Sequence, residues 1–160
     1  GYTMQLPDQE HYLRTKEELL DRLAVLMGGL AAEQLVLGDI STGAQDDLRT
    51  STALARQMVC LFGMSERIGL AHCARPTSGA FLEDGAAVRD CSEETSREID
   101  EEVRSILDAA RDRALGVLEA ERSLLERITS KLLERESLDR KAFEEIIAGS
   151  APPPQVALSR

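Results

Sequence analysis

Apolar residues recur at helical spacing along most of the chain. The first stripe is Leu19, Leu20, Leu23, Leu26, Met27, Leu30, Ala31 and Leu35. It predicts one amphipathic helix reaching about Leu37. Thr15-Lys16-Glu17-Glu18 precedes it in the order of a capping box, and Gly38-Asp39 ends it. Gly28-Gly29 falls mid-helix, where each glycine costs about 1 kcal/mol relative to Ala. Close approach of a second helix is the first explanation for the pair, and a ligand-facing role is the second.

A second helix is predicted from about Ala44 to Phe62, with Thr42 as N-cap, Gln45 completing the box and Gly63 just past the end. Its apolar face reads Leu48, Leu54, Ala55, Met58, Leu61 and Phe62. Ser92 then caps a long helix with the stripe Ile99, Val103, Ile106, Leu107, Ala110, Ala114, Val117 and Leu118. With or without a break near Ala120, the pattern continues through Leu124, Leu125, Ile128, Leu132 and Leu133. A last helix, capped by Ser137, carries Leu138, Phe143, Ile146 and Ile147 and stops at Gly149.

Period-two alternation is rare. Tyr2, Met4 and Leu6 suggest a short strand, Ile68 to Cys73 another, and Phe81-Leu82 a fragment. The fold class expected is therefore mainly α: a helical bundle with a long C-terminal helical hairpin and one or two short strands. Residues 1–148 are expected to form one domain. Residues 149–160, with Pro152-Pro153-Pro154, are expected to be a disordered tail.

Composition narrows the picture. The chain has 160 residues, 42% of them hydrophobic and only 3% aromatic, so the core is aliphatic. A formal charge of −10 argues against nucleic acid and anionic membrane surfaces, which need a basic footprint. No run has the apolar length of a membrane span. Cys60, Cys73 and Cys91 are odd in number and widely spaced, which favours reduced thiols over a disulfide framework. His11 and His72 lack metal-ligand spacing, and there is no phosphate loop or nucleophile elbow. No catalytic residue is assigned.

One acid is out of place. Stepping back from Met58 through Leu54 and Ser51 lands on Asp47, whereas Asp46 falls on the polar stripe with Thr50, Ala53 and Gln57. Asp47 should face inward from the first turn of its helix. Acids are seldom buried unless paired, hydrogen-bonded or bound to metal. By pattern alone, the cheapest reading is an acid at the positive end of the helix dipole. Glu33, bordering the packed face of the first helix, reads as structural.

A set of ordered motifs adds a sharper reading. Gly1-Tyr2-Thr3-Met4-Gln5-Leu6-Pro7, Gly28-Gly29-Leu30-Ala31-Ala32-Glu33, Ser41-Thr42-Gly43-Ala44 with Asp47-Leu48, Leu54-Ala55-Arg56-Gln57-Met58-Val59 with Phe62-Gly63-Met64-Ser65, and Ile99-Asp100-Glu101-Glu102-Val103 resemble, in order, the peptidase domain of FtsH-type proteases. These are membrane-anchored, ATP-dependent zinc metalloproteases. The resemblance covers about residues 1 to 148. It implies that Asp47 is the third zinc ligand, beside two histidines of an H-E-x-x-H helix, and that Glu33 supports a zinc-ligating histidine from outside the coordination sphere.

The same resemblance implies protein substrates, ATP and magnesium at an ATPase module, a homo-hexamer, and a place on the cytoplasmic face of a membrane, the bacterial inner membrane above all. No H-E-x-x-H occurs in these residues. The expectation is thus a C-terminal part of a protease, inactive alone and without membrane contact of its own. The alternative is a non-catalytic helical interaction or assembly module.

Overall fold

In a computed structural model describing residues 13–73 and 91–149, the predicted stripes become six α-helices, with no strand among the described residues. The first helix, α1 (Lys16–Leu26), opens with the expected capping box. The Thr15 hydroxyl accepts from the Glu18 N–H at 3.3 Å, and the Glu18 carboxylate accepts from the Thr15 N–H at 2.7 Å. The helix then breaks at Met27, and α2 (Gly28–Leu37) follows at once. The single helix expected to Leu37 is thus two. The break sits beside the glycine pair, where no side chain holds the turn in register. A Cβ on Gly28 would meet nothing within 4 Å, so close helix packing does not explain it. Gly38 closes α2 in the left-handed region, φ 71°.

A 3-10 turn, Thr42–Ala44, leads into α3 (Gln45–Cys60). The buried stripe of α3 is rotated from the expected one. Ser51, Ala55, Met58, Val59 and Cys60 are buried, while Leu48, Leu61 and Phe62 are 40%, 41% and 49% exposed. The buried Ser51 hydroxyl is satisfied within the helix, donating to the Asp47 carbonyl at 2.6 Å. Past Gly63 (φ 61°), residues 66–70 form a turn and 71–73 are irregular. The strand expected over Ile68 to Cys73 is absent because Ser65 closes that turn instead. Its carbonyl accepts from the Gly69 N–H at 3.0 Å, its hydroxyl accepts from the Ile68 N–H at 3.2 Å, and Gly69 turns left-handed at φ 74°. The other expected strand, Tyr2 to Leu6, the Phe81-Leu82 fragment and the tail beyond Gly149 lie outside the described residues.

Ser92 caps the fourth helix as predicted, its hydroxyl accepting from the Thr95 N–H at 3.1 Å. This helix, α4, spans Glu93–Ala120 and buries Ile99, Val103, Ala110 and Ala114. The chain divides into two compact units, residues 1–115 and 116–160. In the first, α1 packs chiefly on α3. Leu23, Ala31, Ala55, Met58 and Val59 are all 0% exposed there. Ion pairs Arg113–Asp21 (2.6 Å), Arg67–Glu101 (2.6 Å) and Arg56–Asp100 stitch its surface. Such exposed pairs are each worth about 0.2–1 kcal/mol.

The second unit is sparser. After the single residue Glu121, α5 (Arg122–Arg135) begins with its ladder intact, the Leu125 N–H donating to the Glu121 carbonyl at 3.0 Å. Glu136 turns left-handed (φ 61°), and α6 (Arg140–Ala148) doubles back on α5. The helical hairpin of this unit is thus α5–α6, tied where Arg127 donates to the Ile146 carbonyl at 2.7 Å. The cap of α6 is Asp139, accepting from the Ala142 N–H at 2.8 Å, two residues later than the expected Ser137.

Candidate metal centre

The start of α3 is held by a short chain of contacts that begins on α2. Glu33 points its carboxylate across to the turn before α3. One oxygen accepts from the Ser41 N–H at 2.8 Å and the other from the Ser41 hydroxyl at 2.9 Å. Ser41 in turn caps the 3-10 turn, its hydroxyl accepting from the Gly43 N–H at 3.1 Å. A side chain on Gly43 would press on this arrangement. A Cβ would lie 3.2 Å from the Ser41 hydroxyl oxygen and 3.5 Å from a Glu33 carboxylate oxygen. Ala44, buried, then leads directly into α3, which has no side-chain cap of its own. The cap is therefore Ser41 and not the expected Thr42.

This anchored turn separates the fates of the two acids that follow. Asp46 is exposed and pairs with Arg49 at 3.1 Å. Asp47 is only half exposed, and its carboxylate meets no hydrogen-bond or ion-pair partner among the described residues. Its neighbour across the site is Gly29 of α2, where a Cβ would come within 4.0 Å of the Asp47 Oδ2. The second glycine of the pair thus borders the carboxylate and not another helix's backbone.

The physical character of the spot follows. A carboxylate sits on a rigid helix start, flanked by a residue with no side chain. Its supporting turn is fixed through Glu33. The donor is a hard oxygen suited to Zn²⁺ or another divalent cation, and no described residue engages its lone pairs. Among the described residues, no group of three His, Cys, Asp or Glu side chains converges to hold a metal. His72 is exposed, and His11 lies outside the described residues. Asp47 thus fits one ligand of a centre whose other donors would come from beyond the described residues. On the far side of the first turn, Leu48 and Ile40 face an apolar cleft of about 370 Å³ shared with Met27, Leu30 and Val103, which accounts for their exposure.

Sequence reasoning missed Ser41 as a site residue, and it offered a ligand-facing role for Gly28-Gly29 only as a pair and only second. The spacing Ser41-x-Gly43 is a side-chain-to-backbone turn signal that identifies Ser41 in retrospect. Nothing local marks Gly29 over Gly28. The Glu33–Ser41 contact joins residues on separate elements and has no periodic signature.

A family model for peptidase family M41 matches residues 1–146. The chain is similar to the ATP-dependent zinc metalloprotease FtsH of Clostridium perfringens, 41% identical over 152 residues, which cover 95% of this chain and 21% of that protein. It is 60% identical over 76 residues to the ATP-dependent zinc metalloprotease FtsH 1 of Methylacidiphilum infernorum, covering 48% of this chain and 12% of that one. With the FtsH of Syntrophobacter fumaroxidans the identity is 50% over 90 residues, 56% of this chain and 14% of the relative. The matched stretches thus span between about an eighth and a fifth of those relatives.

Proposed function

This chain belongs to peptidase family M41, and from that premise we propose that it is the C-terminal part of the peptidase domain of an ATP-dependent zinc metalloendopeptidase, to which Asp47 contributes one zinc ligand. The observation that carries the reading is the contrast between neighbours. Asp46 is spent on Arg49, while Asp47 is half-buried, unpartnered among the described residues and beside Gly29. A bound Zn²⁺ polarises a scissile carbonyl and lowers the pKa of its water. Asp47 would hold it at a defined position and, as an anionic ligand, temper its charge. Glu33 acts one step back. By fixing Ser41, and through it the turn, it sets where α3 begins and so where the Asp47 carboxylate lies. The resemblance suggested that Glu33 supports a histidine ligand. The Ser41 bonds support a role toward Asp47 instead.

The rest of the reading concerns the whole protein. Its substrates would be unfolded and membrane proteins, fed by an ATPase module using ATP and magnesium. Assembly would be a homo-hexamer on the cytoplasmic face of a membrane. No helix among the described residues is long and apolar enough to cross one. The test uses the complete reading frame, purified with its metal. Asp47→Ala is expected to lose stoichiometric zinc and to cut peptide hydrolysis by at least about 100-fold, with ATP hydrolysis retained. Retention of one zinc per subunit in that variant overturns the assignment. The 160-residue chain alone is expected to show no tight one-to-one zinc binding by calorimetric titration.

A further inference from the structure

Two of the three cysteines, Cys60 and Cys73, come together at the C-terminal end of α3. Cys60 is the last residue of that helix and is buried. The Cys73 N–H donates to the Cys60 carbonyl at 2.9 Å, bringing the two backbones side by side. Cys91 sits just before α4, its sulfur 3.3 Å from the Ser96 hydroxyl. Cys73 and Cys91 are half-exposed. Among the described residues, no group of three His, Cys, Asp or Glu side chains is placed to hold a metal.

A backbone N–H···O bond of 2.9 Å between the two residues places their Cα atoms within several ångströms of each other. A disulfide bridges Cα atoms about 4.4–6.8 Å apart. We propose that Cys60 and Cys73 form a reversible disulfide that fastens the end of α3 to the segment after Gly69, with Cys91 held apart by Ser96. The oxidant is a low-molecular-weight disulfide such as oxidised glutathione. Cys73, reachable from solvent, loses its proton and attacks one sulfur of that disulfide. The oxidant's S–S bond breaks, and one small thiolate leaves and takes a proton from water. Cys60 then gives up its proton, and its sulfur attacks the Cys73 sulfur of the mixed disulfide. The second small thiolate leaves and is protonated in turn. Two protein thiols are oxidised, and one small disulfide is reduced to two thiols.

Trypsin tests the pairing cleanly, because cuts after Arg56, Arg67, Arg89 and Arg97 place each cysteine on its own peptide. The native 160-residue chain is treated with oxidised glutathione, alkylated, digested and mapped by mass spectrometry. The Cys60–Cys73 link is expected in more than nine tenths of the disulfide-bonded monomer. In urea, where loop length alone decides, its share should fall to about half. Cys91→Ser is expected to keep the link and its reduction by dithiothreitol. Cys60→Ser is expected to stall with glutathione on Cys73. A native pattern equal to the urea pattern, a dominant Cys73–Cys91 link, or a mixed disulfide on wild-type Cys73 that never resolves overturns the proposal.

Discussion

Glu33→Ala removes both acceptors of Ser41 at once and tests whether the turn before Asp47 is held from α2. The two bonds, 2.8 and 2.9 Å, end on one carboxylate. Hydrogen bonds to a charged group contribute about 1.5–3 kcal/mol each when sheltered. Here Glu33 is half-exposed and Ser41 exposed, so water replaces much of what is lost. The expected cost is therefore about 1–2 kcal/mol in all, well under the sum for two sheltered bonds. For a chain of this size it would lower Tm by roughly 3–8 °C. Glu33→Gln keeps one acceptor oxygen and should lose about half as much.

Urea melts followed by helical circular dichroism give the total. Amide hydrogen exchange places it, with faster exchange expected from Ser41 through the first turn of α3 and none of the acceleration in α5 or α6. A double-mutant cycle with Ser41→Ala should return a coupling of about 0.5–1 kcal/mol. In the complete protein, the same variant should weaken zinc binding by about 10–100-fold with Asp47 intact. Both variants within about 0.3 kcal/mol of wild type, with unchanged exchange at Ser41 to Asp47, would refute the anchoring argument.

Three further outcomes are expected. Gly29→Ala should raise stability by about 0.5 kcal/mol through helix propensity. Its added Cβ would reach ordinary contact with Asp47 Oδ2, 4.0 Å away, and should weaken zinc binding by the complete protein. A thermal melt and a zinc competition assay read the two effects separately. Leu23→Ala empties a position that is 0% exposed at the α1–α3 contact and should cost about 2–5 kcal/mol in denaturant melts. A cost below about 1 kcal/mol would mean the α1–α3 core is not packed as described.

The last concerns pH. Burial pushes the Cys60 thiol above its ordinary 9.0, Arg56 opposes the rise, and Cys73, Cys91 and Asp100 add to it. A raised folded-state value means that the native state holds its proton more tightly. The stabilisation is complete below pH 9 and is lost as pH climbs through the folded value. Urea midpoints should fall between pH 8 and pH 10, and Cys60→Ala should flatten that fall.

Much of the helical layout was legible because its causes are local. Thr15 with Glu18, Ser92 with Thr95, and Gly38 and Gly63 at helix ends all act within a turn of where they stand. The stripes of α1 and α4 were read closely, since Leu19, Leu23, Ile99, Val103, Ala110 and Ala114 all proved buried. The stripe of α3 was misjudged for a physical reason. Its apolar arc is wide, and periodicity gives the arc without saying which edge the neighbours cover. Ser51 and Met58 are buried on the inward line that leads back to Asp47, but the neighbours leave Leu48 and Phe62 half open. The Ile68–Cys73 strand failed because a single serine satisfied the turn's backbone more cheaply than a lone extended segment could.

By itself, the sequence determined the helical class, the places where most helices start and stop, and the ordered motifs by which the chain resembles one protease family. It also marked Asp47 as an acid needing a reason. These follow from propensity, capping and spacing, which act over a few residues. Asp46 finds Arg49 one turn on in its own helix, but tertiary structure alone decided that Glu33 braces Ser41 from another helix and that Gly29, not Gly28, faces the Asp47 carboxylate. It also brought Cys60 beside Cys73. Each joins residues whose separation along the chain carries no periodic signal, so only the packing of one helix against the next could set them.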